Sequence, residues 1–215
     1  MNYKCIIFDC DGVLVDSESI SAKIFREMAA ELGFEVDFET VLEQITGTSM
    51  KENLKFFSEN IEGELPADFE SEFRKRSYEA FKTDLKPIIG IHDLIEKIKI
   101  PIGVASSGPV EKIKLNLTST KLIDYFGDNI FSCYEIGSWK PDPEIYLYAA
   151  KTMGFKPNEC AVIEDSLVGV QAAIAGGFNV FGFAHGKMKN TFEEIGATVF
   201  TEMEKLYELL KKNQK

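Results

Sequence analysis

Five short apolar runs, each the length of a β-strand, most constrain the fold of this 215-residue chain. They are rich in β-branched residues, show little alternation between apolar and polar positions, and lie at residues 5–8, 102–105, 129–132, 160–163 and 179–183. Such runs are typical of parallel strands buried on both faces. Because helical patterns separate them, the sequence predicts a three-layer α/β fold, with helices on both faces of a parallel sheet.

The helical patterns between the later strands begin and end at recognisable residues. Helices are predicted at Pro109–Thr118, Pro143–Met153 and Leu167–Ala175. The first two begin with proline, which suits the first turn of a helix, and the last two are followed by glycine, which suits a helix end. These helices supply the crossovers that parallel strands require.

One long segment, from Ser17 to about Lys86, contains no convincing strand. Apolar residues recur at helical spacing in its first part, and residues 38–45, 49–60 and 66–82 are also helix-like, separated by glycine or proline. The sequence therefore predicts an inserted α-helical cap domain at residues 16–86, with the chain returning at 84–87. The catalytic core domain is predicted at residues 1–15 and 87–215.

Charge and hydropathy exclude several classes of partner. The formal net charge is -11, and an acidic surface repels nucleic acid and anionic membranes, so neither is an expected partner. No apolar run approaches the ~20 residues that cross a bilayer. The first residues lack the features of a signal peptide, so we expect a cytoplasmic protein. With no long exposed apolar stripe, we expect a monomer.

Polar residues follow four of the predicted strands at the edge where open parallel sheets bind their ligands. They comprise two pairs of acids, two serines and one lysine: Asp9, Asp11, Glu164, Asp165, Ser106, Ser107 and Lys140. Asp9 or Asp11 taken alone is as well explained by a strand-end cap or a turn, and a lone lysine is better explained by solvation. Four matching strand ends together predict a single site.

The four segments that carry these residues resemble the motifs of the haloacid dehalogenase superfamily. They read DCDGVLVDS (9–17), SSG (106–108), WKPDP (139–143) and IEDS (163–166), in the family order and across nearly the whole chain. The helical insert after the first motif is similar to the cap of the β-phosphoglucomutase-like branch. This resemblance implies a Rossmann-like core, Mg²⁺ as cofactor and phosphoryl transfer as the chemistry.

The candidate metal and nucleophilic groups follow from this chemistry. A carboxylate can attack phosphorus and form an aspartyl phosphate, which splits one hard step into two, and Asp9 is the predicted nucleophile. Mg²⁺ binds oxygen ligands and neutralises phosphate oxygens. Asp9 and Asp165 are predicted to supply carboxylate ligands. The resemblance adds the backbone carbonyl of Asp11 as a further metal ligand. Glu164 either binds the metal directly or contacts the residues that bind it.

The remaining candidate residues act on protons and on phosphate. Asp11 is predicted to protonate the leaving oxygen and later to activate water. Lys140 offers a point charge to the phosphate and to the crowded carboxylates. The hydroxyl of Ser106 and the backbone N–H of Ser107 are predicted phosphate donors, the latter near a helix start.

Several neighbouring residues have two interpretations. Asp16 and Ser17 serve either as helix caps or at a hinge. Trp139 belongs either to the core or to the wall of the site, and Asp142 is a candidate for orienting Lys140.

Three reactions fit these motifs: a phosphatase, a sugar-phosphate mutase, and a receiver module phosphorylated on aspartate. A receiver needs neither Asp11 as acid and base nor a cap of this size. In β-phosphoglucomutases a cap histidine follows the first motif and basic residues flank the glycine loop of the cap. Here Ser21 matches the histidine, while Thr46 and Met50 match the basic positions. The sequence therefore favours hydrolysis.

The substrate is expected to be a small phosphorylated metabolite. Residues 8–12 and 131–154 are similar to bacterial 6-phosphogluconate phosphatases of the same branch, which implies a sugar phosphate or a sugar-acid phosphate. Thr46, Thr48, Ser49 and Lys51 are the cap residues predicted to touch the leaving group, since a lid sets specificity and excludes water.

Overall fold

Six parallel strands form the sheet at the centre of the described residues, which are 3–46, 48 and 50–212 of the computed structural model. The strands are β1 (Cys5–Phe8), β2 (Ile102–Ser106), β3 (Ile130–Ser132), β4 (Cys160–Glu164), β5 (Asn179–Phe183) and β6 (Thr198–Phe200). Their order across the sheet is β3-β2-β1-β4-β5-β6. The predicted fold class is confirmed, and the order reverses between β1 and β4, where ligands bind in such sheets.

Helices cover both faces of this sheet. The helices of the core are α5 (Ile91–Lys97), α6 (Val110–Ser119), α7 (Ile123–Phe126), α8 (Cys133–Ile136), α9 (Glu144–Thr152), α10 (Leu167–Ala175), α11 (Met188–Glu194) and α12 (Met203–Lys212). A single 3-10 turn, Pro157–Glu159, leads into β4.

The side chains of β1 show why this strand is apolar throughout. Ile6 and Phe8 join one hydrophobic cluster with α5, α6 and α12, whereas Cys5 and Ile7 join a second cluster with α9 and α10. All four side chains are fully buried. Because successive residues of a strand face opposite sides of the sheet, only a strand covered on both faces has no polar position.

The described part of the insert between β1 and α5 contains four helices with a hydrophobic core of their own. They are α1 (Glu18–Glu31), α2 (Phe38–Ile45), α3 (Met50–Asn60) and α4 (Phe69–Thr83). Phe25, Phe57 and Phe73 lie at its centre, where the ring of Phe25 stacks on both of the others.

The two chain crossings between the insert and the core pair with each other. Val15 and Pro87 form an antiparallel bridge, the amide of Asp16 donates to the carbonyl of Lys86 at 3.0 Å, and the amide of Ile88 donates to that of Leu14 at 3.0 Å. The division of the chain into a core domain and a cap domain at residues 15/16 and 86/87 stays a prediction.

Among the described residues no helix has the length and apolar content needed to cross a membrane.

Several described elements were not predicted from sequence: β6, α5, α7, α8, α11 and α12. β6 has three residues and is partly exposed, and α7 and α8 have four each, so these elements are too short for a periodic pattern. α12 carries an amphipathic pattern in which Met203, Leu206 and Leu210 are buried against the sheet. A test for helical periodicity over the C-terminal residues could have found this helix.

We predict that the aromatic core holds the insert together. Phe57 is fully buried and stacks on Phe25 with ring centroids 4.9 Å apart, so Phe57→Ala should lower the free energy of unfolding by about 3–5 kcal/mol. Its neighbour Phe56 is only partly buried, and Phe56→Ala is the matched control. Urea unfolding measures both, and a loss from Phe57→Ala no larger than that from Phe56→Ala would contradict this assignment of the core.

Candidate active site

The site residues predicted from the sequence lie together at the carboxyl edge of the sheet. Asp9, Asp11, Ser106, Lys140 and Asp165 all line one cavity of about 700 Å³, together with residues of the insert. Asp9 follows β1, whose neighbours β2 and β4 end in Ser106 and Glu164. The carboxyl ends of adjacent parallel strands therefore bring these groups together, while the insert forms the opposite wall.

Lys140 forms the buried ionic centre of this cavity. Its ammonium lies 2.9 Å from Oδ1 of Asp9 and 2.7 Å from Oε1 of Glu164, and its side chain is 3% exposed. Burial alone would lower the pKa of Lys140, but the carboxylates of Asp9 and Glu164 hold it well above its usual value. The lysine is therefore a fixed positive charge beside Asp9.

Glu164 is held by hydrogen bonds on both carboxylate oxygens. Oε1 accepts from Lys140 and from the hydroxyl of Tyr146 at 3.0 Å, while Oε2 accepts from the amide and the hydroxyl of Ser166 at 2.7 and 2.9 Å. A carboxylate offers about four acceptor positions. These four donors therefore account for the acceptor capacity of Glu164, which also has the helix backbone at Gly169 packed against it.

Carboxylate oxygens of Asp9, Glu164 and Asp165 lie within 4.8 Å of one another. Burial raises the pKa of Asp9 to about 7 despite the attraction of Lys140, and Glu164 adds to the rise. Burial and the charges of Glu164 and Glu18 raise the pKa of Asp165 well above its usual value. One ammonium does not balance three crowded carboxylates, so the donor set fits a hard divalent cation such as Mg²⁺.

The turn after β1 brings the acids to the rim. The amide of Gly12 donates to the carbonyl of Val15 at 2.9 Å. Gly12 has a φ of +75°, and a Cβ there would lie 1.8 Å from Oδ2 of Asp165. Only glycine suits both the left-handed backbone and the close approach of Asp165.

Asp11 is surrounded by hydrogen-bond donors, two of which sequence reasoning missed. Oδ2 accepts from Lys112 at 2.8 Å, and Oδ1 accepts from Ser17 and from Asn116 at 3.2 Å. Burial would raise the pKa of Asp11, but the charge and hydrogen bond of Lys112 lower it below its usual value. Lys112 and Asn116 are four residues apart on α6, a spacing that places them on one face of the helix.

The two candidate phosphate donors differ in exposure. Ser106 is buried, and its hydroxyl oxygen accepts from the amide of Gly108 at 3.1 Å. The structure gives no acceptor for its hydroxyl proton among the described residues, so that proton can be donated to a ligand. Ser107 is exposed and precedes α6, and both serines line the cavity.

The structure gives the contacts of four side chains whose roles the sequence left open. Asp16 accepts from the amide of Ser19 at 3.3 Å and so caps the start of α1, whereas the hydroxyl of Ser17 is used by Asp11. Asp142 accepts from the amide of Glu144 at 3.0 Å, which places its carboxylate at the start of α9. Trp139 is half-exposed and lines the cavity, so it belongs to the wall.

The insert contributes some predicted residues to the cavity and several that were not predicted. Thr48 and Lys51 line it, as does Ser21, while Ser49 lies outside the described residues. Thr46 is exposed, and its hydroxyl donates to the carbonyl of Leu42 at 2.7 Å. One of the unpredicted residues is Arg74 of α4, which also lines the cavity.

Comparison with known proteins identifies the family. Residues 3–177 match the haloacid dehalogenase-like hydrolases. The chain is 33% identical over 210 residues to 6-phosphogluconate phosphatase of Escherichia coli, covering 97% of this chain and 95% of that protein. It is 30% identical over 217 residues to a phosphorylated carbohydrates phosphatase of Thermotoga maritima, covering 97% and 98%. The chain belongs to the haloacid dehalogenase-like hydrolases.

A solved structure supports the same assignment. A haloacid dehalogenase family hydrolase from Deinococcus radiodurans, determined with bound phosphate and sodium, aligns with a TM-score of 0.84 at 27% identity, over 98% of this chain and 96% of that one. The predicted family and the predicted class of enzyme, a phosphatase, are confirmed.

Because the carboxylates are crowded, we predict that Asp9→Asn raises the free energy of unfolding of the metal-free protein, by an amount that depends on pH. Asp9 ionises near pH 3.9 when unfolded but near 7 when folded, so the folded wild type loses stability as the pH rises through this window. Asp9→Asn has no such charge and leaves Lys140 paired with Glu164. It should therefore be more stable than wild type at pH 8, by on the order of a few kcal/mol.

Denaturant unfolding in EDTA at pH 5, 6, 7 and 8 measures this difference. The gain should grow from pH 5 to 7 and then level off. Equal stabilities of Asp9→Asn and wild type at pH 8 would mean that Asp9 is not held under electrostatic strain.

Proposed function

We propose that this chain is a Mg²⁺-dependent phosphatase that hydrolyses a small phosphorylated sugar or sugar acid through an aspartyl phosphate on Asp9. The observation that carries the proposal is the group of Asp9, Asp165 and Lys140 that lines a cavity together with Ser106. The named relatives, which act on phosphogluconate and on phosphorylated carbohydrates, support the substrate class.

We assign the metal ligands to Asp9, Asp165 and the backbone carbonyl of Asp11. Bound there, Mg²⁺ would neutralise phosphate oxygens and the crowded carboxylates. Because four donors already occupy the oxygens of Glu164, we assign it to holding Lys140 in place rather than to direct ligation.

The phosphoryl group would be held beside Asp9 by Lys140, Ser106 and Ser107. Lys140 keeps its charge within 2.9 Å of Asp9, so it can bind the phosphate that approaches that carboxylate. Ser106 donates its hydroxyl proton, and the amide of Ser107 adds a donor before α6. These donors reduce the repulsion between an anionic nucleophile and an anionic ester, and a carboxylate oxygen of Asp9 can then attack phosphorus.

Asp11 would carry the proton in both half-reactions. A bound phosphate places negative charge near Asp11 and raises its pKa, which favours the protonated form that delivers a proton to the leaving oxygen. Once the leaving group has departed, Lys112 again favours the carboxylate. In that form Asp11 can take a proton from the water that hydrolyses the aspartyl phosphate.

Water rather than a second sugar hydroxyl is the proposed acceptor. Ser21 occupies the position at which the resembled mutases carry a histidine, and it lines the cavity. Neither histidine of the chain is among the residues described around the cavity. A serine hydroxyl is not a general base near neutral pH, so Ser21 does not replace that histidine in activating a sugar hydroxyl.

The test is phosphate release from a panel of phosphorylated sugars, sugar acids and nucleotides. Asp9→Asn should lower the rate by a factor on the order of 10³ or more, because an amide does not attack phosphorus. EDTA should abolish release by the wild type, and added Mg²⁺ should restore it. Asp142→Asn is the matched control, since Asp142 lies in the same motif as Lys140 but caps α9. Near-normal release by Asp9→Asn would refute the proposal.

A further inference from the structure

The insert places one guanidinium in the cavity that the proposed reaction does not use. Arg74 follows Phe73, whose ring is buried in the aromatic core of the insert, and its own side chain is 30% exposed. The chain has a net charge of -11. An arginine turned into a cavity of such an acidic protein provides a local binding site for an anion, in a planar geometry that matches a carboxylate.

The guanidinium of Arg74 is held in place but retains free donors. Nε and Nη2 donate to Oε1 of Glu70, one turn earlier on α4, at 2.9 and 2.7 Å. Nη2 also lies 3.5 Å from the hydroxyl of Tyr134 on α8, another residue that lines the cavity. No partner of Nη1 is found among the described residues, so its two N–H groups are available to a ligand. Because Glu70 offsets part of the charge, a singly charged group is better matched than a second phosphate.

Aromatic residues connect this position to the phosphate end of the cavity. The ring of Tyr134 meets that of Trp139 edge to face, with centroids 5.5 Å apart, and both are half-exposed. Trp139 directly precedes Lys140, whose ammonium contacts Asp9. Arg74 and Lys140 therefore line one cavity, and Tyr134 and Trp139 give it an aromatic wall against which the carbon chain of a sugar can pack.

We propose that Arg74 determines specificity by binding a carboxylate at the end of the substrate opposite the phosphate. The enzyme then prefers phosphorylated sugar acids to the corresponding sugar-alcohol phosphates. This inference rests on the proposed function. It adds to that function a residue on the insert that distinguishes two substrates with the same phosphate.

Two substrates isolate the carboxylate. Gluconate 6-phosphate and glucitol 6-phosphate are open six-carbon chains that differ only at the end opposite the phosphate. Initial rates of phosphate release by the full chain with Mg²⁺ give kcat and KM for each. The wild type should favour gluconate 6-phosphate. Arg74→Gln should lower kcat/KM for the acid by roughly 10- to 100-fold, chiefly through KM, and leave glucitol 6-phosphate within about threefold.

Two further variants separate recognition from folding. Arg74→Lys keeps the positive charge but loses the planar pair of N–H donors of the guanidinium. This variant should recover part of the preference for the acid. Arg76 is the matched control: it lies two residues away on α4, but its guanidinium pairs with Glu31 and Glu72 on the other side of the helix, away from the cavity. Arg76→Gln should keep the wild-type ratio of kcat/KM values. Thermal unfolding of each variant verifies that it is folded.

The possible outcomes are distinct. If Arg74→Gln lowered kcat/KM equally for both substrates, or for neither, the role of Arg74 would be overturned. The proposed phosphatase activity would still stand. A wild type that releases phosphate from glucitol 6-phosphate as readily as from gluconate 6-phosphate would overturn it as well. Failure of the wild type to release phosphate from any ester would overturn the proposed function and this inference together.

Discussion

The ion pairs of the buried Lys140 are the interaction on which the rest of the site depends. Its ammonium contacts both Asp9, after β1, and Glu164, at the end of β4. A buried ammonium that lost both partners would be an uncompensated charge, which is strongly destabilising. Lys140, Asp9 and Glu164 are therefore fixed as one unit, and two adjacent strands hold that unit in place.

This unit also explains why the site is suited to phosphate despite its acidity. The carboxylates of Asp9, Glu164 and Asp165 outnumber the ammonium, so their side chains bring excess negative charge together at one place. A bound cation would relieve that excess and would at the same time attract phosphate. The electrostatic cost of assembling the acids would thus be connected to the proposed binding of a metal together with an anionic ester.

The sequence predicted much of the core because its information there is local. The apolar runs predicted five of the strands. Asp9 and Asp165 directly follow strands and Ser106 ends one, so parallel pairing brings these three together, whereas Lys140 reaches the site from the loop beyond α8. Three-residue β6 and the four-residue helices carry no periodic signal. Roles such as that of Glu164 could not be assigned either, since they depend on which donors occupy its oxygens.

Residues that reach the site from helix faces were missed for a different reason. Lys112 and Arg74 stand on α6 and α4 among many charged residues, and neither follows a strand. Arg74 and Arg76 are two residues apart, yet only Arg74 lines the cavity, because two positions along a helix turn the side chain well away. Such assignments require the packing of the insert against the core, which no local pattern encodes.

The most direct measurement is chemical trapping of the phosphorylated carboxylate. In the Asp11→Asn variant, p-nitrophenyl phosphate should still phosphorylate Asp9, because its leaving group needs no acid, while hydrolysis without the Asp11 base should be slow. Borohydride reduction and peptide mass spectrometry should then find homoserine in place of aspartate at position 9. A burst of p-nitrophenol without modification of Asp9, or with modification at another residue, would contradict the account.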